Sequence, residues 1–153
     1  MSSPATGPIL LCYDRSDGAR HAIATAGAVF PGRKAVVLHV WSPIAVAVVA
    51  YGGLLPAPED YDKGLEKGAR QVADEGAELA RAAGLDASAA LAEGTYEGTW
   101  HAIVEAAGTH GASLIAIGAR GLSTFKSFVL GSVSHGVAQH AHIPVLIVPP
   151  AAD

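Results

Sequence analysis

The sequence predicts an α/β fold: an open sheet of five parallel strands with helices on both faces. Two observations predict it. Short apolar runs alternate with longer stretches whose apolar residues recur at helical spacing, in the order β-α-β-α-β-α-β-α-β. The apolar runs are also largely continuous, which is the pattern of strands covered on both faces.

Residues 8–13, "PILLCY", read as a buried strand closed by the polar Asp14. Ser16 or Asp17 can cap the helix that follows, in which Ala22, Ile23, Ala26 and Val29 lie at helical spacing, and "PGR" breaks it. The β-branched run "KAVVLHVW" at 34–41 is the second strand. Residues 42–58 carry Pro43, Pro56, Pro58 and the pair Gly52–Gly53, so they read as a long loop. Its apolar part, 44–55, bracketed by Trp41 and Tyr51, fits a lid, an oligomer contact or a further helix. Residues 59–84 mix charge with Ala and Leu at helical period, and Gly84 is the expected stop. The segment 85–93, "LDASAALAE", is assigned as the third strand on the partial alternation of Leu85, Ala87, Ala89 and Leu91, against the helical preference of alanine. A turn at 94–99 leads to a helix at 100–111, a fourth strand at 112–118, a glycine-bearing loop, a helix at 131–141 and a last strand at 143–149. Crossovers in such a sheet are right-handed, and ligands bind beyond the carboxyl ends of strands where the strand order reverses. The ends of the first and fourth strands, at Asp14 and Gly118, are the best candidates for that crevice.

The chain of 153 residues suits one domain, 1–153, with 1–7 expected to be disordered. Half of its residues are hydrophobic, enough for a full core. A net charge of −4 provides no footprint for nucleic acid or an anionic membrane. "MSSPATGP" lacks the basic and apolar regions of a signal peptide, and the longest apolar run, 44–51, falls short of the roughly 20 residues that span a bilayer. The lone cysteine, Cys12, excludes an internal disulfide and fits the cytoplasm. The expected setting is therefore cytoplasmic, with neither nucleic acid nor membrane as partner.

The stretch "GARGLSTFKSFVLGS" at 118–132 has the spacing Gly118-x-x-Gly121-x9-Gly131-Ser132 and no acidic residue. It lacks the Gly-Lys-Ser/Thr ending of a Walker A loop, and it is not the dinucleotide pattern GxGxxG. Gly118 and Gly121 can let the backbone approach a ligand closely. Gly131 and Ser132 stand where a helix begins, so unpaired N–H groups and the helix dipole would favour an anion, and Ser132 and Ser134 could add hydroxyl donors. Two readings stand side by side: a phosphate cradle, or a connection whose glycines only make turns.

On this motif the chain resembles the universal stress protein family, in its ATP-binding branch, whose nucleotide motif is G-x-x-G-x9-G-S/T. The resemblance extends over nearly the whole chain, through Asp14 and Ser16 after the first strand, "LHV" at 38–40 and "GSVSHGVAQHAHIPVLIVP" at 131–149. It implies a Rossmann-like sheet of the adenine nucleotide alpha hydrolase type, with strand order 3-2-1-4-5. It also implies ATP as ligand, with Mg²⁺ able to arrive on the phosphates. In that frame Cys12 and Asp14 flank the adenosine, Val40 offers backbone groups to the adenine edge, and Ile117 and Gly118 lie beside the ribose and first phosphate. Gly121, Gly131, Ser132, Val133 and Ser134 hold the phosphates, with Arg120 and Lys126 as weaker contributors. Where the family often has Asp-Gly-Ser after the first strand, this chain has Asp14-Arg15-Ser16, and Arg15 could cover the site mouth or lean away.

Other constellations have plainer explanations. His135 and His140 are five residues apart on one helix, about 140° around its axis, so with His142 they make a poor metal set. His101 and Glu105 are spaced as a surface pair. Cys12 reads as a small buried hydrophobe ahead of a redox sensor, and Asp14 has helix capping as its alternative role. There is no nucleophile-elbow motif to support a hydrolytic triad. The expected function is a nucleotide-dependent stress or signalling switch that offers a changed surface to an unidentified protein partner. The alternatives are a slow ATPase or an enzyme phosphorylating its own Ser123, Ser127, Ser132 or Ser134, and an interaction module without nucleotide. A homodimer through residues 143–148 is expected as well. "IPVLIVPP" at 143–150 carries no charge, an open apolar edge strand is an aggregation hazard, and a two-fold partner would close it.

Overall fold

The computed structural model describes residues 6–43, 60–120 and 130–152. Most of the predicted loop at 42–58 lies outside them, as do Gly121, Ser123, Lys126 and Ser127. Of the segment 1–7, expected to be disordered, Thr6 and Gly7 are described, and Gly7 is tied down. Its carbonyl accepts hydrogen bonds from Arg33 Nη2 at 3.0 Å and from Ser113 Oγ at 2.8 Å.

The elements are β1 (Ile9–Cys12), α1 (Asp17–Val29), β2 (Lys34–Trp41), α2 (Tyr61–Ala82), β3 (Asp86–Glu93), α3 (Thr99–Thr109), β4 (Leu114–Gly118), α4 (Ser132–His140) and β5 (Val145–Val148). All five strands are parallel, in the order β3-β2-β1-β4-β5. This is the predicted sheet, with element ends shifted by one or two residues.

Strand alternation sorts the side chains into two cores. Ile9, Leu11, Val37 and Ala116 point to one face, where Ile23 and Ala26 of α1 and Ala77 and Ala80 of α2 cover them. Leu10, Leu38, Ile115 and Ile117 point to the other, beneath Ile103, Ala106 and Ala107 of α3 and Val137 of α4. Because both faces are covered, every strand needs apolar residues at successive positions. That is why the runs in the sequence are continuous.

The alanine-rich β3 forms a strand because its surroundings override its propensity. It pairs with β2 along eight residues, from Lys34 opposite Asp86 to Trp41 opposite Glu93. The helix above it, α2, buries only small residues: Ala69, Ala73, Gly76, Ala77 and Ala80. Small side chains on both elements bring helix and sheet close together, so alanine fills the gap that larger residues would overfill.

One contact fixes where the cleft opens. The end of β4 meets the start of α1 so closely that a Cβ on Gly118 would lie 2.9 Å from both the carbonyl carbon and oxygen of Gly18. A Cβ on Gly18 would in turn lie 2.6 Å from Arg120 O. The absent side chain at Gly118 therefore makes room for the packing of helix against strand. Gly118→Ala should destabilise the protein by about 1–3 kcal/mol, the usual cost of overpacking a fixed contact. Urea unfolding followed by far-UV circular dichroism measures this; an unchanged midpoint would show that the contact is not rigid.

Candidate functional site

The sheet order reverses at β1. The chain leaves β1 towards β2 on one side, and β4 later joins it on the other. In a sheet of this kind the reversal leaves a crevice at the carboxyl ends of the two strands. A cavity of about 250 Å³ lies there. It is lined by Cys12, Asp14, Val40, Ile117, Gly118, Gly131, Ser132, Val133 and Ser134, so nine of the ten residues singled out from the sequence come together around one space. The tenth, Gly121, lies outside the described residues. Arg120 lines the cavity too, while Arg15 turns away to an acidic partner on α2.

Two helix starts face the cleft, and they differ in chemistry. At α1, Ser16 is the cap: its Oγ accepts from Ala19 N–H at 3.1 Å, and Asp17 places a carboxylate in the first turn. That end is already satisfied and already negative. Asp14 is not the cap; its Oδ1 accepts from Ser16 N–H at 3.0 Å and so braces the turn between strand and helix. At α4 the cap residue is Gly131, which has no side chain to offer, and the first turn contains no acidic residue. The first N–H groups of a helix have no carbonyl one turn earlier to bind, and the dipole adds positive potential. The start of α4 is therefore the end of the cleft suited to an anion.

Ser134 behaves differently from the hydroxyl donor expected of it. Its Oγ is buried and donates towards Ala119 O at 2.8 Å, with Gly131 O at 3.0 Å as a second acceptor. The hydroxyl thus ties the start of α4 to Ala119, the residue after β4. Gly131 N–H is likewise donated to Ala119 O at 2.8 Å, so Ala119 joins β4 to the start of α4.

Sequence reasoning missed Tyr13, Leu38, His39, Thr99 and Ile103, all of which line the cavity. His39 donates from Nδ1 to Tyr13 O at 2.8 Å, which leaves Nε2 as the acceptor of the neutral ring. Its place next to Val40 at the end of a strand was a usable signal. Thr99 and Ile103 gave none, because they reach the cleft only through the way α3 lies across the sheet. Among the described residues no group of three or more His, Cys, Asp or Glu is arranged to hold a metal ion. His140 instead stacks on Trp100, ring centroids 4.0 Å apart, and His101 pairs with Glu97 at 2.8 Å and more loosely with Glu105 at 3.8 Å. No described helix is long and apolar enough to cross a membrane.

The sequence model of the universal stress protein family matches residues 6–149. The universal stress protein YxiE of Bacillus subtilis (strain 168) is 32% identical over 146 residues, covering 92% of this chain and 97% of its own length. Among solved structures, hypothetical protein MJ0577 superposes with a TM-score of 0.75 at 21% identity, covering 97% of this chain and 99% of that one. A universal stress protein crystallised in complex with cAMP superposes with a TM-score of 0.68 at 24% identity, covering 95% and 98%. At that identity the two structures speak for the fold.

Cys12 forms part of the cavity wall at the end of β1. As a residue it is partly open to the cavity, but the protein around it withdraws water from the sulfur. That burial, followed by the nearby Asp14 carboxylate, pushes the thiol up to about 12. The thiol is therefore neutral at physiological pH and a poor nucleophile. Native protein at pH 8 should react with iodoacetamide at least about a hundredfold more slowly than urea-unfolded protein, because only the thiolate attacks. The same shift has a sign for stability. The unfolded thiol ionises at about 8.5 and the folded one far above, so this contribution is present below about pH 8.5 and is lost as pH rises towards 12. Mass spectrometry of the alkylated chain and melts between pH 7 and 10 check both; equal reactivity in the two states would contradict the burial.

Proposed function

The chain belongs to the universal stress protein family, and from that premise we propose that it is a cytoplasmic protein that binds ATP in the cleft between β1 and β4 and works as a nucleotide-dependent switch. The observation that carries this is the start of α4, which lacks a side-chain cap and an acidic residue and opens onto the same cavity as the apolar end of β2. An adenine nucleotide is a flat, weakly polar ring joined to an anion. The cleft offers Leu38, Val40 and Ile103 for the first part and the N–H groups of Ser132, Val133 and Ser134 for the second. The family member solved with cAMP shares this fold and carries the same combination of adenosine and phosphate. A magnesium ion bound with ATP would be held chiefly by the phosphates, since the cleft supplies Asp14 as its carboxylate. Ligand binding at the carboxyl ends of β1 and β4 would change what this face of the protein offers, and that is the change a partner could sense.

Gly131 permits a clean test. Its φ of −59° and ψ of 158° are open to any residue, and an added Cβ would come no closer than 3.4 Å to protein, at Ala119 O. Gly131→Ala should therefore leave unliganded stability within about 0.5 kcal/mol of wild type. Calorimetry should show ATP affinity falling about tenfold, because the methyl group occupies space the phosphates need. Wild-type protein that releases no nucleotide on denaturation and binds neither ATP nor cAMP would overturn the proposal.

We also propose a homodimer through β5, which is an edge strand of the sheet. Ile115 N–H donates to Pro144 O and Ala119 N–H to Val148 O. Even-numbered positions thus face β4, and by alternation Val145 and Ile147 turn their backbone groups outward. Their side chains pack in the second core, so a charge placed there would harm folding more than assembly. Ile147→Pro removes an outward N–H and leaves the β4 ladder intact. Light scattering should give twice the 15.4 kDa chain mass for wild type and a monomer for this variant; a wild-type monomer would refute the dimer.

A further inference from the structure

Between β1 and α1 the backbone passes through a left-handed residue. Arg15 has φ +65°, and among the described residues it is the only non-glycine with positive φ. A residue with a Cβ holds that conformation only when its surroundings impose it. The restraint comes from outside the cleft. Tyr13 O–H donates to Glu75 Oε1, and Arg15 Nε donates to Glu75 Oε2 at 2.9 Å. Arg20 completes the cluster, its Nη2 3.6 Å from Glu75 Oε1 and its Nη1 donating to Arg15 O. Both carboxylate oxygens of a single α2 side chain thus grip the residues on either side of Asp14.

The helix comes near enough to do this because its next residue is Gly76. A Cβ there would lie 2.6 Å from Cδ1 of Tyr13 and 2.7 Å from Cγ1 of Val37. The Tyr13 ring is buried, so its hydroxyl needs a partner, and Glu75 is that partner. The Tyr13 hydrogen bond, with help from Arg15 and Arg20, holds the Glu75 carboxyl below the usual range. Burial, and then Glu75 itself, push the Tyr13 hydroxyl up to about 12. Donor and acceptor keep their roles throughout the neutral range. A lone exposed ion pair would add little; here the guanidinium acts together with a buried hydroxyl and a backbone conformation that needs holding.

We propose that Glu75 is a positioning residue for the cleft: by clamping Tyr13 and Arg15 it fixes the left-handed turn that presents Asp14 and the start of α1 to the ligand. Its effect on affinity rests on the nucleotide reading given above; its effect on the turn does not. The test compares wild type, Glu75→Gln, Arg15→Gly and the double variant. Glutamine puts an NH₂ group where one of the two acceptor oxygens stood, so it cannot serve both donors at their present positions, and the Glu75 side chain is 36% exposed, so the variant should fold. Glycine adopts positive φ without restraint. By NMR hydrogen exchange without ligand, the Ser16 amide, bonded to Asp14 Oδ1, should exchange about tenfold faster in Glu75→Gln and recover in the double variant. ATP affinity by calorimetry should fall about five- to tenfold in Glu75→Gln and return to within about threefold of wild type in the double variant. A Glu75→Gln protein with wild-type exchange and affinity would overturn the proposal. So would a double variant no better than Glu75→Gln, since glycine at residue 15 holds the turn without the clamp. If wild type binds no ATP but the exchange pattern holds, the clamp stands and the nucleotide reading falls.

Discussion

The closeness of β4 to the first turn of α1 is the constraint on which the cleft depends. Gly118 and Gly18 touch through backbone, with no room for a Cβ on either. This contact brings the end of β4 under the start of α1. It also sets the path of Ala119, whose carbonyl accepts both Gly131 N–H and Ser134 Oγ. The start of α4 is therefore located from β4 through a short series of backbone contacts, and the two helix starts end up flanking one space. Strand order alone would give a crevice at the reversal; the glycine contact sets how closely β4 and α1 approach beside it.

The same economy of side-chain volume recurs across the sheet. α2 lies over β2 and β3 on a face of alanine and glycine, and α1 buries Ala19, Ala22, Ala26 and Gly27 around Ile23. Helices that ride this close transmit position well, because close-packed small residues leave no slack. Glu75 gains its leverage this way: one carboxylate on a tightly seated helix reaches both sides of Asp14. The two faces of the sheet thus divide the work. One braces the β1 turn from α2, and the other supplies the apolar floor from Leu38, Ile103 and Ile117.

The order of elements was legible because covering a parallel sheet on both faces leaves a strong mark: continuous apolar runs separated by amphipathic stretches. The third strand was legible only weakly, since alanine favours a helix and the pairing of β3 with the whole of β2 lies elsewhere in the chain. Much of the candidate site could be found through its spacing, Gly118 to Ser132, and through Asp14 at a strand end. Thr99 and Ile103 could not be found that way, because a lining residue on a crossing helix has no fixed distance in sequence from the motif.

The sequence by itself determined the class of fold, the place of the crevice and the absence of acidic charge at the start of α4, all of which depend on local pattern and residue type. The tertiary structure decided what those residues do. Gly118 serves a helix contact, because its missing Cβ faces Gly18. Ser16 caps and Asp14 braces, because the Ser16 hydroxyl takes Ala19 N–H while the Asp14 carboxylate takes Ser16 N–H. Arg15 leaves the mouth of the cleft for Glu75, sixty residues away, because α2 crosses the Tyr13 ring at a glycine. Roles of this kind depend on distances between elements that the chain brings together only on folding.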